Sequence, residues 1–180
     1  MALTSYLLAL AIFIPASGWA ADRFGARLVF RLAIVVFAAG SIACGQSNSL
    51  AELIGARVLQ GIGGSMMVPV GRLIVLRATS KSDLVNALAW LTVPALIGPV
   101  LGPPLGGFIT TYYDWRWIFW INIPVAVLGF GLASLFIPGI EMPPAPRFDA
   151  TGFFLLGPGL AAFLTGVTLA GLGLASVMVI

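Results

Sequence analysis

One arginine, Arg57, lies inside a long apolar stretch and is the best-placed residue for charge chemistry within the chain. It lies about two turns, or about 10 Å, inside that stretch if the stretch is helical. A cation at such a depth in a bilayer costs a few kcal/mol unless it is paired or hydrated. Gln60, Gly61 and Gly64 share its helical face and suit a cavity or a close helix. The alternative is an arginine that snorkels to the membrane interface.

An acid and several bases follow the first apolar stretch, and Gly18 and Gly25 flank them. Asp22 can accept hydrogen bonds from a helix N-terminus or from Arg27, and Gly25 permits a tight turn. Arg23 adds a further positive charge to this turn. A plain solvated loop explains the residues equally well, because exposed ion pairs contribute little free energy.

Glycines and prolines recur together in a charge-free apolar stretch between Trp90 and Thr111. Glycine at every fourth position forms a bare stripe along which another helix can approach to backbone contact. Each proline lacks an N–H, so the carbonyl four residues earlier needs a partner from a neighbouring helix, a hydroxyl or water. The pattern predicts a kinked, closely packed helix, and a merely structural bent helix is the alternative. The motif residues are Gly98, Pro99, Gly102, Pro103, Gly106 and Gly107.

The composition indicates an integral membrane protein. Of the 180 residues, 60% are hydrophobic and 8% are charged, against about 25% charged in an ordinary soluble domain. The apolar blocks have the length of spanning helices, whereas barrel strands alternate over about ten residues. We predict an all-α, polytopic transmembrane helix bundle with about six spanning helices. The single cysteine, Cys44, and the absence of histidine exclude an internal disulfide and the usual Cys/His zinc sites, and we predict no metal and no cofactor.

The apolar blocks divide the chain into three parts. Residues 1–137 contain five helices, 138–150 form a loop, and 151–180 form a further, truncated helix. The predicted spans are Thr4–Ala21, Val29–Gly45, Leu50–Leu76, Asn86–Thr111, Ile118–Ile137 and Thr151–Ile180.

The chain has a net charge of +3, and most of its Lys and Arg residues lie on one side of these spans. By the positive-inside rule that side is cytoplasmic. The rule places the 138–150 loop in the cytoplasm and the N-terminus of this chain outside. The opposite side carries only Arg116. The basic residues of the first two cytoplasmic connections are Arg23, Arg27, Arg31, Arg72, Arg77 and Lys81.

Four of these segments resemble motifs of the major facilitator superfamily. Gly18 to Arg27, read as Gly-x-x-x-Asp-Arg-x-Gly-x-Arg, resembles the family's loop between the second and third helices, although Ala26 replaces a usual basic residue. Leu53 to Gly64 resembles the fourth-helix motif. Gly98 to Gly107 resembles the antiporter signature of the fifth helix. Asp114 to Pro124, with Trp-Arg-Trp-Ile-Phe-x-Ile-Asn-x-Pro, resembles the drug:proton antiporters of the EmrB/QacA type, which have fourteen helices.

The resemblance implies a proton-coupled exporter of drugs or other hydrophobic or cationic small molecules, which works by alternating access and is not an enzyme. It implies that Arg57 and Gln60 serve proton coupling, and that the Gly/Pro residues form the antiporter motif. Residues implied in a cytoplasmic gate are Gly18, Asp22, Arg23, Gly25 and Arg27.

The resemblance also implies a multi-pass protein of the bacterial inner membrane and an N-terminal-half fragment that begins at the family's second helix. Its expected partners are the lipid bilayer, protons, a small-molecule substrate and the missing helices of the same transporter, with no nucleic acid. The family's acid-bearing first helix precedes this chain, so the proton-carrying carboxylate is expected there. The alternative is a truncated, non-transporting membrane protein that only packs with partner helices.

Overall fold

The structure, a computed structural model, describes residues 2–139 and 148–178, with side chains described except at 94, 164 and 168–178. The described residues form helices and no strands. The helices are α1 (Ala2–Phe24), α2 (Ala26–Gln46), α3 (Leu50–Ala78), α4 (Leu84–Tyr112), α5 (Trp117–Trp120), α6 (Asn122–Phe136) and α7 (Ala150–Met178).

Six segments of the described chain are long and apolar enough to cross a membrane, and α5 and α6 together form one of them. The predicted all-α bundle of about six spans is thereby confirmed. In the predicted loop, residues 140–147 lie outside the described residues, as do the last two residues of the final span. The placement of that loop in the cytoplasm stays a prediction.

Local sequence explains where the first helices begin and end. Gly25 alone separates α1 from α2 and has φ of +89°, a conformation that costs glycine little. This confirms the predicted tight turn. At the start of α3, the Ser49 hydroxyl accepts a hydrogen bond from the Glu52 N–H at 3.2 Å. The Glu52 carboxylate in turn accepts from the Asn48 N–H at 2.8 Å. The N–H groups of Asn48 and Glu52 thus both have a side-chain acceptor.

The centre of the bundle is formed by α1, α2 and α3, with α3 packed against both of the others. On its outside, α6 packs on α2 and α7 packs on α1. Small residues allow a close approach of α3 to α2, which we call the α2–α3 seam. A Cβ at Gly40 would lie 2.5 Å from the backbone nitrogen of Gln60, and one at Gly63 would lie 2.8 Å from the backbone oxygen of Ala33. Only glycine permits these helices to approach so closely.

Helix α4 lies at the edge of the bundle, and among the described residues it contacts only α3 and α5. None of its residues with a described side chain is buried. A Cβ at Gly98, Gly102 or Gly106, the α4 glycine stripe, would meet nothing within 4 Å. The predicted close packing of this helix is therefore not met by the described part of the chain. A glycine stripe reduces the distance of approach but does not supply the partner helix.

Candidate functional site

Arg57 lies near the start of α3 and directs its guanidinium between α1 and α5. The group lies 4.7 Å from the ring centre of Tyr6 and 5.5 Å from that of Phe119. Its Nε donates to the Ala2 carbonyl at 3.3 Å, and its Nη1 donates to Gln60 Oε1 at 2.8 Å. No carboxylate in the described part of the chain forms an ion pair with it. Ring faces and neutral acceptors thus compensate for its lost hydration and hold it inside the bundle.

Gln60 extends the contacts of Arg57 into the bundle. It is only 2% exposed, and its Nε2 donates to Ser41 Oγ at 2.7 Å. Asn122, the first residue of α6, donates from Nδ2 to the same hydroxyl at 3.5 Å. We call Arg57, Gln60, Ser41 and Asn122 the arginine network. It joins α3, α2 and α6 through polar groups that have partners, as buried polar groups require.

The sequence accounts for this network only in part. Arg57 and Gln60 are three residues apart, so a helix places them on one face. Gly40 allows α2 to come close enough for Ser41 to reach Gln60. Ser41 and Asn122 were not predicted as site residues. The available signal was their polarity inside apolar spans, because such residues usually face the interior of the bundle.

At the other end of the bundle, Asp22 forms an ion pair with Arg77 of the last turn of α3, at 2.8 Å. We expected Asp22 to accept from a helix N-terminus or from Arg27, and in the described chain its ion pair is with neither. Arg27 donates instead from Nη2 to the carbonyl of Ser134 on α6. The turn at Gly25 places Asp22 on α1 and Arg27 on α2. Asp22 therefore meets Arg77 of α3, and Arg27 meets Ser134 of α6.

The remaining candidate residues do not join these two clusters. Arg23 is exposed, and its side chain forms no hydrogen bond or ion pair with a described residue. Gly18 borders a cavity of about 320 Å³ that also includes Pro69 and Arg72. The antiporter-motif residues lie on α4, which contacts only α3 and α5 in the part of the chain that the structure describes.

Metal-binding residues do not cluster in the described parts of the chain. No group of three or more His, Cys, Asp or Glu side chains is placed there to hold an ion. The spanning helices, the inward-facing arginine and the ion pair at one end of the bundle define a multi-pass membrane protein. The sequence matches the Major Facilitator Superfamily over residues 1–180, and the chain belongs to that family.

Several curated relatives carry the name "Putative multidrug resistance protein MdtD". The protein of that name from Cronobacter sakazakii is 47% identical, with 96% of this chain and 38% of the relative aligned. The one from Yersinia enterocolitica is 48% identical over 88% of this chain and 34% of its own length. The one from Serratia proteamaculans is 50% identical over 88% and 33%. The chain thus spans about a third of the length of these relatives.

Proposed function

We propose that this chain is part of a proton-coupled exporter of drugs or other hydrophobic or cationic small molecules, working by alternating access. The observation that carries the proposal is Arg57, a cation inside a spanning helix whose described partners are all neutral. A structural arginine at this depth is usually paired, so one without a described carboxylate is suited to a changing partner. The names of the multidrug resistance relatives support export as the direction.

Arg57 would act through a carboxylate supplied by the rest of the transporter. An ionised carboxylate beside the guanidinium is stabilised, and protonation removes that attraction. Proton binding would then release a helix that the ion pair had held. Gln60 and Ser41 keep the guanidinium in position while its acidic partner changes state. This arrangement converts the loading of a proton into a preference for one conformation of the bundle.

The remaining assignments follow from this role. The protein lies in a bacterial inner membrane, with the N-terminus of this chain outside and the Asp22–Arg77 pair closing the cytoplasmic side. Residues 1–137 belong to the N-terminal transporter bundle, 138–150 form a cytoplasmic loop, and 151–180 form a further helix. The missing helices of the same transporter meet the α4 glycine stripe, which is open in the described chain.

The test uses the full-length protein in everted membrane vesicles, with a cationic dye as substrate and the internal pH as readout. We expect Arg57→Ala to insert normally but to show no dye-dependent proton flux. Arg57→Lys should keep only part of the flux, because its ammonium retains the charge but lacks the planar guanidinium that binds two acceptors. Arg116→Ala is the matched control, since Arg116 donates to the Ser47 carbonyl outside the arginine network.

Normal dye-dependent proton flux in Arg57→Ala would show that Arg57 has no coupling role. A wild-type protein that inserts but moves neither dye nor protons would instead refute the exporter itself. That second result would favour the non-transporting alternative, in which the helices only pack with partners.

A further inference from the structure

A cavity of about 370 Å³ lies where α2 begins. Its walls include the first residues of α2, with Arg27 and Arg31, and Gly139 beyond the end of α6. We call it the α2 cavity. It is separate from the arginine network, which reaches α2 only at Ser41. Gly25 and Arg27 were implied in a cytoplasmic gate, but the proposed function closes that side through Asp22 and Arg77 and gives this cavity no role.

The two arginines of the α2 cavity have hydrogen-bond donors without acceptors. The Nε atoms of Arg27 and Arg31 are both buried, and neither has a partner among the described residues. Arg27 uses Nη2 to bind the Ser134 carbonyl. The Arg31 guanidinium lies 4.7 Å from the ring centre of Phe130, and no described residue accepts a hydrogen bond from it. Leaving charged donors buried and unpaired is costly, which favours an anion as a bound partner.

The start of α2 adds further donors on the same side. Gly25 provides no side-chain cap, and the first N–H to find a backbone acceptor is that of Val29, which donates to the Gly25 carbonyl at 3.1 Å. Among the described residues, the N–H groups of Ala26, Arg27 and Leu28 therefore have no backbone acceptor. The helix dipole also places partial positive charge at this end. Both effects add to the attraction that the two arginines exert on an anion.

Exposed apolar residues continue along α2 from the cavity. Leu28, Leu32 and Val35 are 47%, 52% and 48% exposed, and their spacing puts them on one face of the helix. A free phosphate would leave this face unused. A phospholipid would use both parts, with its phosphate among the donors and an acyl chain along the apolar face.

We infer that the α2 cavity binds an anionic phospholipid from the cytoplasmic leaflet. The lipid phosphate accepts hydrogen bonds from Arg27 and Arg31 and from the first N–H groups of α2, and one acyl chain lies along Leu28, Leu32 and Val35. Basic pockets between spanning helices are a known type of site for such headgroups. The assignment to the cytoplasmic leaflet rests on the orientation in the proposed function, whereas the binding site itself does not depend on the transported substrate or on the coupling mechanism.

The test is native mass spectrometry of the delipidated full-length protein, titrated with phosphatidylglycerol or with phosphatidylcholine. We expect tighter binding of phosphatidylglycerol by the wild type. Arg31→Gln should weaken that binding by about fivefold, the effect of about 1 kcal/mol for one arginine at a membrane surface. Arg116→Gln is the control, because Arg116 lies on the opposite side of the bundle and should leave lipid binding unchanged.

Thermal unfolding in phosphatidylcholine checks that each variant is folded. If Arg31→Gln is not folded, Arg31→Lys is used instead. It keeps the positive charge but lacks the planar guanidinium, and should still bind phosphatidylglycerol more weakly than the wild type. Three results would overturn the inference: equal binding of the two lipids, equal losses in the Arg31 and Arg116 variants, or no loss in either Arg31 variant. Displacement of phosphatidylglycerol by inorganic phosphate at similar concentration would also overturn it, by showing a site for the free anion.

Discussion

The α2–α3 seam and the α4 glycine stripe contain similar residues in opposite surroundings. At the seam, a Cβ added to Gly63 would lie 2.8 Å from the Ala33 oxygen. On the stripe, a Cβ added to Gly102 would meet nothing within 4 Å. The sequence made the stripe the stronger candidate for close packing, because its glycines repeat every fourth residue. Glycine spacing therefore shows which helix faces permit contact, while the partner is decided by the rest of the fold.

The seam and the stripe should therefore differ in role, the seam in the stability of the fold and the stripe in its movement. Helices locked at backbone distance cannot separate without losing their packing, whereas an open face is free to meet different partners in different states. The seam carries Gln60 of the arginine network and keeps it fixed. We therefore expect substitutions in the seam to affect folding and substitutions in the stripe to affect transport.

The largest effect is expected from Gly63→Leu in the full-length protein. The added side chain must push α2 away from α3, and overpacking of this kind costs about 3 kcal/mol or more. Unfolding in a detergent titration, followed by circular dichroism, measures the change. Gly55→Leu is the matched control on the same helix, because a Cβ at Gly55 meets nothing within 4 Å. Equal losses at Gly63 and Gly55 would contradict the close contact at the seam.

A smaller effect on stability is expected from Gly102→Leu. Its site is open in the described chain, so the free energy of unfolding should change by about 1 kcal/mol or less, the scale of helix propensity. Transport should suffer more, because a bulky residue in the α4 glycine stripe would separate it from the proposed partner helices and let protons pass without substrate. Gly102→Ala should show neither effect. Collapse of an imposed pH gradient in liposomes measures the leak.

Loss of stability in Gly102→Leu without a leak would instead mean that the stripe is a packing surface like the seam. The two measurements are therefore made on the same preparation. A variant that is stable and does not leak would show that nothing meets the stripe in the complete protein.

The smallest effect is expected at the Asp22–Arg77 ion pair, which joins α1 to the last turn of α3. A double-mutant cycle of Asp22→Asn with Arg77→Gln should give a coupling energy of about 0.5 kcal/mol, as for other partly exposed pairs. The same cycle with Arg27→Gln should give none, since Arg27 bonds to Ser134. Chemical unfolding of the four proteins in each cycle supplies the energies. A larger coupling of Asp22 to Arg27 than to Arg77 would restore the interpretation made from the sequence.

The spans could be predicted because each is defined within its own segment. An apolar block of sufficient length has to be helical in a bilayer, where unpaired backbone groups are too costly. The turn at Gly25 was predictable for the same reason, since it depends on one residue. Contacts between helices were not, because they depend on how each helix is rotated and shifted against its neighbours.

The candidate site shows this limit clearly. The contact of Arg57 with Gln60 follows from their spacing within α3, whereas that of Gln60 with Ser41 depends on how α2 and α3 meet. From the sequence, Asp22 was expected to bond to a helix N-terminus or to the nearby Arg27, and the structure pairs it with Arg77, which is distant in the chain. Local spacing thus predicts part of the site, and the packing of α1, α2 and α3 determines the remainder.

The direction of the hydrogen bonds in the arginine network determines whether a proton could pass along it. A guanidinium only donates, so it fixes the Gln60 amide with its oxygen toward Arg57 and its nitrogen toward Ser41. Asn122 also donates to the Ser41 hydroxyl. A proton wire needs groups that accept a proton on one side and release one on the other, and neutral amides do not do this. The amides of the network therefore hold the Arg57 charge in place and provide no path for a proton along their own length.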